Sequence, residues 1–208
     1  EFYNLSHRYG YQCPNWPYFR DVRIERMHYM AKSGVLSQTL TTTMHVTTHI
    51  DAPGHVVQGL PFIDEVTLPH FFGSGIVVSI PKKKWESITG DDLEKSCGDV
   101  IRKNDVLIIN TGWNKFYADG DYFPYCPGLV PSAAEWMINK GIKVVGHDTQ
   151  ANDHPLATAI GPQRNGPLLP HLKEEYFDWS GGHDWKEDFP EWEPVHNMIF
   201  RKGILGIE

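Results

Sequence analysis

A chain of 208 residues with 40% hydrophobic and 22% charged residues is long enough for one domain of ordinary size and has a soluble, globular composition. Its formal net charge of −7 offers no electrostatic footprint for phosphate backbones or anionic lipid, which argues against nucleic-acid and membrane partners. No apolar run approaches the roughly 20 residues that a membrane span needs. The basic cluster Lys82 to Lys84 sits beside Pro81 and reads as a solvated turn. Cys13, Cys97 and Cys126 are odd in number and far apart, so they read as packing residues of a reducing, cytoplasmic compartment. The chain opens on Glu1-Phe2 with no visible signal peptide and stops at Glu208 after an apolar stretch, so both ends are expected to be trimmed.

Proline and glycine punctuate the sequence evenly, with no repeat, low-complexity segment or linker, which predicts one domain over 1–208. In chain order, Gly75 to Ile80 (GIVVSI) is a β-branched apolar run closed by Pro81 and predicts a buried strand. Ser87 to Ser96 carries a helical pattern, with Thr89-Gly90-Asp91-Asp92 as the helix N-terminus and its acidic residues at the positive end of the dipole. Val106 to Asn110 (VLIIN) predicts a second strand. Pro131-Ser132 followed by AAEWMINK and stopped by Gly141 is the clearest helix, and it feeds a third strand over Ile142 to Val145. Ile204 to Ile207 is a weaker fourth. Strands alternating with helices predict an α/β or mixed β/α domain. Gln150 to Glu193 has no sustained period and reads as long loops.

Residues 39–55 read TLTTTMHVTTHIDAPGH and carry the chemistry. His45, His49, Asp51 and His55 share one parity, and the threonines around them favour extended chain. A straight strand would separate the Cα atoms of His45 and His49 by about 13 Å, too far for two imidazoles to share an ion, so the chain must bend within Val46 to Thr48. Pro53-Gly54 forces a further turn before His55. Two imidazoles and a carboxylate suit Zn²⁺, Mn²⁺ or Fe²⁺ and leave a coordination position for water. Four ionisable groups in eleven residues among uncharged neighbours are costly to bury without a cation. His55, just beyond the turn, is placed for proton transfer.

His45-Val-Thr-Thr48-His49-Ile-Asp51-Ala-Pro53-Gly-His55 resembles the H-x-G-T-H-x-D-x-P-x-H motif of the cyclase-like metal-dependent hydrolases, which include bacterial kynurenine formamidase and isatin hydrolase. Thr47 stands where the motif has glycine. The similarity continues through Asn4 to His7, Pro14 to Pro17, Asp105 to Trp113, Pro127 to Leu129, Val145 to Asp148, Pro194 to His196 and Gly203 to Glu208. It implies a swivelling β/β/α domain, a homodimer or homotetramer, and a metal set of His45, His49, Asp51, His196 and Glu208 holding one or two Zn²⁺ or Mn²⁺ ions. By the same resemblance Trp16 matches a substrate-contacting tryptophan.

The expected activity is hydrolysis of the C–N bond of a small amide, cyclic amide or imide, or N-formyl aryl amine. In that reading His55 takes a proton from water and returns it to the leaving nitrogen. Gln150, Asn152, His154, Arg164, His183, Trp179 and Trp185 suggest a polar, aromatic-lined lid, with Arg164 and His183 as candidate substrate contacts. His147-Asp148 is expected to support a ligand from behind. Two rival classes stay open: a facial-triad non-haem iron oxygenase using His49, Asp51 and His196, which expects antiparallel strands, and an inactive metal-binding relative.

Overall fold

The computed structural model describes residues 1–163 and 166–208. These form two compact units, Glu1–His49 and Ile50–Glu208. The division falls between two residues of the histidine-rich motif rather than at a compositional break.

In Glu1–His49, β1 (Arg23–His28) pairs antiparallel with β2 (Ser37–Thr41), and a short helix α1 (Met30–Ser33) joins them. Gly34 closes α1 with φ 69°, the left-handed conformation that glycine takes without a Cβ clash. The hairpin buries almost nothing: Met27, Met30, Val35, Leu36 and Leu40 are all more than half exposed. Its strands read Arg-Ile-Glu-Arg-Met-His and Ser-Gln-Thr-Leu-Thr, with no apolar face, so nothing in their pattern announced a sheet.

The Ile50–Glu208 unit is built on a mixed five-stranded sheet. Its elements are β3 (Ile50–Asp51), β4 (Gly75–Ser79), β5 (Ser87–Ile88), α2 (Gly90–Cys97), β6 (Val106–Asn110), α3 (Tyr122–Tyr125), β7 (Gly128–Leu129) and α4 (Pro131–Lys140). They are followed by β8 (Val144–His147), α5 (Leu172–Ser180), α6 (Trp185–Asp188), α7 (Pro194–Phe200) and β9 (Leu205–Ile207). The sheet order is β3-β9-β8-β6-β4; β4, β6, β8 and β9 run parallel, and β3 is antiparallel on β9. The β5–β7 pair stands apart as a two-stranded parallel ladder.

The mixed α/β class read from the alternation is the class observed. Leu107, Ile109 and Val145 pack with Leu93, Ala133, Ala134, Met137, Val195, Ile199 and Phe200 in one apolar core shared by the sheet and α2, α4 and α7. Burial of this apolar surface, at about 25 cal/mol per Å², is the main stabilising term. Helix α2 starts at Gly90 with Thr89 as its cap, within the Thr89–Asp92 start expected, and Ser87–Ile88 before it is drawn into a strand against Gly128–Leu129. Its first turn is fixed by a capping box in which Thr89 and Asp92 each accept from the other's backbone N–H. Helix α4 runs from Pro131 to Lys140 and ends on Gly141 at φ 69°, as its Pro start and Gly stop predict.

Three expectations need correction. Residues 150–193 are not all loop: Leu172 and Tyr176, four apart, bury one stripe of α5, and α6 follows it. Gln150, Asn152, His154 and Trp185, expected in a polar, aromatic-lined lid, are buried residues of the folded unit. The Lys82–Lys84 turn is also less solvated than expected, since Lys82 pairs with Asp92 at 2.9 Å and Lys84 lies over the rings of Trp85 and Tyr125. Cys97 and Cys126 are buried free thiols. Among the described residues no helix is long and apolar enough to cross a membrane.

His154 carries a pH signature. Its ring is wholly buried, stacks on Phe189 at 4.2 Å, lies 3.0 Å from the Trp85 carbonyl through Nε2, and accepts from Leu156 N–H through Nδ1. Burial pushes its pKa down to about 4. The unfolded chain then binds a proton between about pH 6.5 and 4 where the native state does not, so stability falls as pH falls through that window. The expected loss is roughly 3 kcal/mol by pH 4. Denaturant midpoints of the protein and of His154→Gln across pH 4–7 check this; parallel pH slopes would refute it.

Candidate metal centre

Within Glu1–His49, the bend demanded between the two histidines is present. Thr47 has φ 52°, in the left-handed region. The turn brings His45 Nδ1 to 2.9 Å from His49 Nε2, with the rings edge to face at 4.9 Å. The same turn sets the Thr47 carbonyl 2.8 Å from His49 Nδ1, which makes Nδ1 the protonated nitrogen and leaves the Nε2 lone pair for a cation. A β-branched residue in the left-handed region costs about 1–2 kcal/mol, which explains why glycine suits this position. Thr47→Gly is therefore expected to raise stability by about 1 kcal/mol, read as a shift in the denaturation midpoint; no gain would mean that the hydroxyl's own contacts offset the strain.

Trp16 sits beside this turn in the ladder, since Asn15 bridges to Val46. Phe19, which the sequence reading passed over, lies 5.9 Å from the His45 ring.

Within Ile50–Glu208, sheet topology assembles a second set. Strands β8 and β9 are parallel neighbours, so the residues after both leave the same edge of the sheet. Asp51 pairs with Gly206 across β3 and β9, which puts its carboxylate beside the end of β9. His196 enters from the first turn of α7. Asp51, His196 and Glu208 present ligand atoms that all lie within 4.8 Å of one another. His196 Nε2 is 2.9 Å from Glu208 Oε1. Asp51 and His196 are 5% and 3% exposed. His55, held in a 3₁₀ turn over Pro53–His55, has Nε2 3.9 Å from Asp51 Oδ2 and its ring centroid 6.3 Å from that of His196. Its side chain is 37% exposed, so it is open to a substrate.

The surroundings of this set are polar and buried. Asn152 donates to Glu208 Oε1 from its backbone N–H at 2.8 Å and from its side-chain amide at 2.7 Å. His147 Nε2 is 3.1 Å from Asn152 Oδ1, so His147 supports Glu208 at one remove, while its pKa is held down by burial. Asp148 accepts from the Thr111 N–H and hydroxyl and from Asn114 N–H, locking the loop after β8 to that after β6. Asp153 sits 2.5 Å from His196 Nδ1. Both ring nitrogens of His196 thus face carboxylates. Burial pulls its pKa down, but Glu208 and then Asp153 outweigh that and hold it well above the ordinary histidine value.

Two buried carboxylates closing on one imidazole need positive charge among them, either a proton on His196 or a cation. One nitrogen and two oxygen donors are a set that Zn²⁺ and Mn²⁺ accept, so the residues fit such an ion.

His183 lies elsewhere. His183 Nδ1 is 3.4 Å from Asp188 and lines a surface cavity of about 670 Å³ with Lys173, Glu174, Phe177 and Asp178. Arg164 lies outside the described residues. The facial-triad alternative expects antiparallel strands, whereas three of the sheet's four strand pairs are parallel.

A family model described as putative cyclase matches residues 3–154. The chain belongs to the putative cyclase family. It is 27% identical over 164 residues to cyclase-like protein 2 of Arabidopsis thaliana, covering 71% of this chain and 57% of that protein. It is 31% identical over 134 residues to an uncharacterized protein of Methanocaldococcus jannaschii, covering 64% of this chain and 62% of that one. This cyclase-family chain therefore spans about six-tenths of the length of those relatives.

Its fold is also that of isatin hydrolase A from Labrenzia aggregata, with a TM-score of 0.71 at 19% identity over 98% of this chain and 77% of that one. A predicted metal-dependent hydrolase from Bacillus stearothermophilus gives a TM-score of 0.65 at 18% identity, over 99% and 80%. At such identities the likeness speaks for the fold alone.

Proposed function

We propose that this cyclase-family protein is a metal-dependent hydrolase that cleaves the C–N bond of a small amide, cyclic amide or imide, or N-formyl aryl amine. The observation that carries the reading is the buried convergence of Asp51, His196 and Glu208, with His55 3.9 Å from Asp51. In this reading Asp51, His196 and Glu208 are ligands, and one or two Zn²⁺ or Mn²⁺ ions bind. A divalent ion, when bound, supplies a Lewis acid that acidifies water and polarises a carbonyl.

The chain's own residues do the rest. His55 Nε2 takes the proton of the attacking water and returns it to the leaving nitrogen, a task suited to an imidazole. Asp51 Oδ2 stands beside it, 3.9 Å from His55 Nε2. The buried position of Asp51 and His196 keeps competing water from their ligand atoms. Trp16 and Phe19, next to the two-histidine turn, offer aromatic surface to an aryl or cyclic substrate.

The test is metal analysis of the purified protein, followed by hydrolysis of isatin, cyclic imides and formyl-anilides before and after chelation. The expected result is bound Zn²⁺ or Mn²⁺, and a hydrolysis that disappears with chelator and returns with the ion. Bound metal with no turnover of any class would make the protein a binding relative; no metal at all would overturn the reading.

A further inference from the structure

Asn152 and Asp153 are adjacent residues, both 0% exposed, and they reach in different directions: Asn152 to Glu208 and Asp153 to His196. Asp153 is held more tightly than an ion-pair partner needs to be. Its Oδ1 accepts from Val195 N–H at 2.7 Å, and its Oδ2 accepts from His196 N–H at 3.0 Å as well as facing His196 Nδ1 at 2.5 Å. The plane of the carboxylate is thus fixed by the backbone of the helix that bears the histidine. It also supplies what α7 lacks locally, because Glu193, the residue before the helix, has φ 45° and makes no side-chain cap.

The backbone of this dipeptide is pinned in turn. Asp153 bridges to Leu129, and His154 N–H donates to the Leu129 carbonyl at 3.1 Å. Gly128 permits that approach, since a Cβ there would lie 2.3 Å from His154 Cα. Gly206 likewise leaves room for the Asn152 amide, which a Cβ would meet at 2.4 Å.

We infer that Asp153 is a positioning residue: it keeps the proton of His196 on Nδ1 and turns Nε2 toward Glu208 and Asp51, so that this half of the centre is a preformed cation site. The inference rests on the reading of Asp51, His196 and Glu208 as cation ligands. A histidine ligand whose far nitrogen donates to a fixed carboxylate is both oriented and made more basic, and losing that partner costs 10- to 100-fold in metal affinity. Both oxygens of Asp153 are engaged by Val195 and His196. Its effect must pass through His196, and that separates positioning from simple support of the fold.

The experiment titrates the protein with Mn²⁺ or Zn²⁺ alone by calorimetry, comparing wild type, Asp153→Asn, His196→Ala and the double variant, with circular dichroism as the folding control. Asp153→Asn is expected to weaken binding about 10- to 100-fold. In the His196→Ala background the same change is expected to shift affinity less than about twofold, because coupled residues are not additive. Equal losses in both backgrounds would overturn the inference.

Nitrogen-15 NMR of His196 in the wild-type protein needs no variant and decides the matter if Asp153→Asn fails to fold. A proton bonded to Nδ1 in the metal-free protein, retained when the ion displaces any proton from Nε2, is the expected signature. A bare Nδ1 in either state would refute it. Should wild type take up neither ion, the cation reading fails by itself, while the Nδ1 proton of the metal-free protein still settles whether Asp153 holds His196.

Discussion

Asp51→Asn is expected to strip the protein of bound metal and of hydrolysis together, while leaving it folded. Removing only the partner of a ligand costs 10- to 100-fold in affinity, so loss of a carboxylate ligand is expected to exceed about 100-fold. Asp51 is 5% exposed, packs into the β3–β9 ladder opposite Gly206, and shares its pocket of charge with Glu208 and His196. Without an ion, two carboxylates in this space repel one another. The asparagine variant relieves that repulsion at nearly constant volume, so the metal-free variant is expected to melt no lower than metal-free wild type. Elemental analysis and thermal unfolding with and without chelator are the measurements. Full metal occupancy in Asp51→Asn would remove Asp51 from the centre.

His55→Ala is expected to do the opposite: metal content stays and turnover falls by about 10²- to 10⁴-fold, the usual contribution of a general acid–base. The side chain is 37% exposed, and its 3₁₀ turn is set by Pro53 and by Gly54 N–H donating to the Pro61 carbonyl, not by the imidazole. Folding and ligand geometry are therefore not at stake. Comparing kcat at matched metal occupancy isolates the proton-transfer role. A variant with near-normal kcat would take His55 out of the mechanism and leave water or substrate to carry the proton.

The parts of the fold that could be read beforehand are those whose information is local. Val106 to Asn110 is a strand over the residues expected because the apolar run Val106-Leu107-Ile108-Ile109, mostly β-branched, is closed by Asn110 and Thr111-Gly112. Helix α4 announces both of its ends through Pro131 and Gly141. Helix α7 carries the same start signal in Pro194, but the carboxylate that caps its first turn belongs to Asp153, more than forty residues earlier in the chain. The β1–β2 hairpin has no buried face from which to recognise it.

The same contrast governs the site. His45, His49, Asp51 and His55 stand close together in sequence, and even the bend at Thr47 follows from the reach of an imidazole. Asn152 and Asp153 look like two polar loop residues until β8, β9 and α7 are brought together around them. A carboxylate shortly after the β8 strand, in a stretch also rich in histidine, was the available hint.

The pairing of Ile50 with Ile207 joins the two ends of the Ile50–Glu208 unit across nearly its whole length of chain. Closing so long a loop is entropically the slowest part of sheet formation. The β4–β6–β8 ladder and the helices on it can form without that closure, and Asp51 meets Glu208 only once it is made. A cation therefore arrives at a nearly finished fold. It can deepen the native well but cannot template the route into it, so metal is expected to slow unfolding while leaving the rate of refolding unchanged.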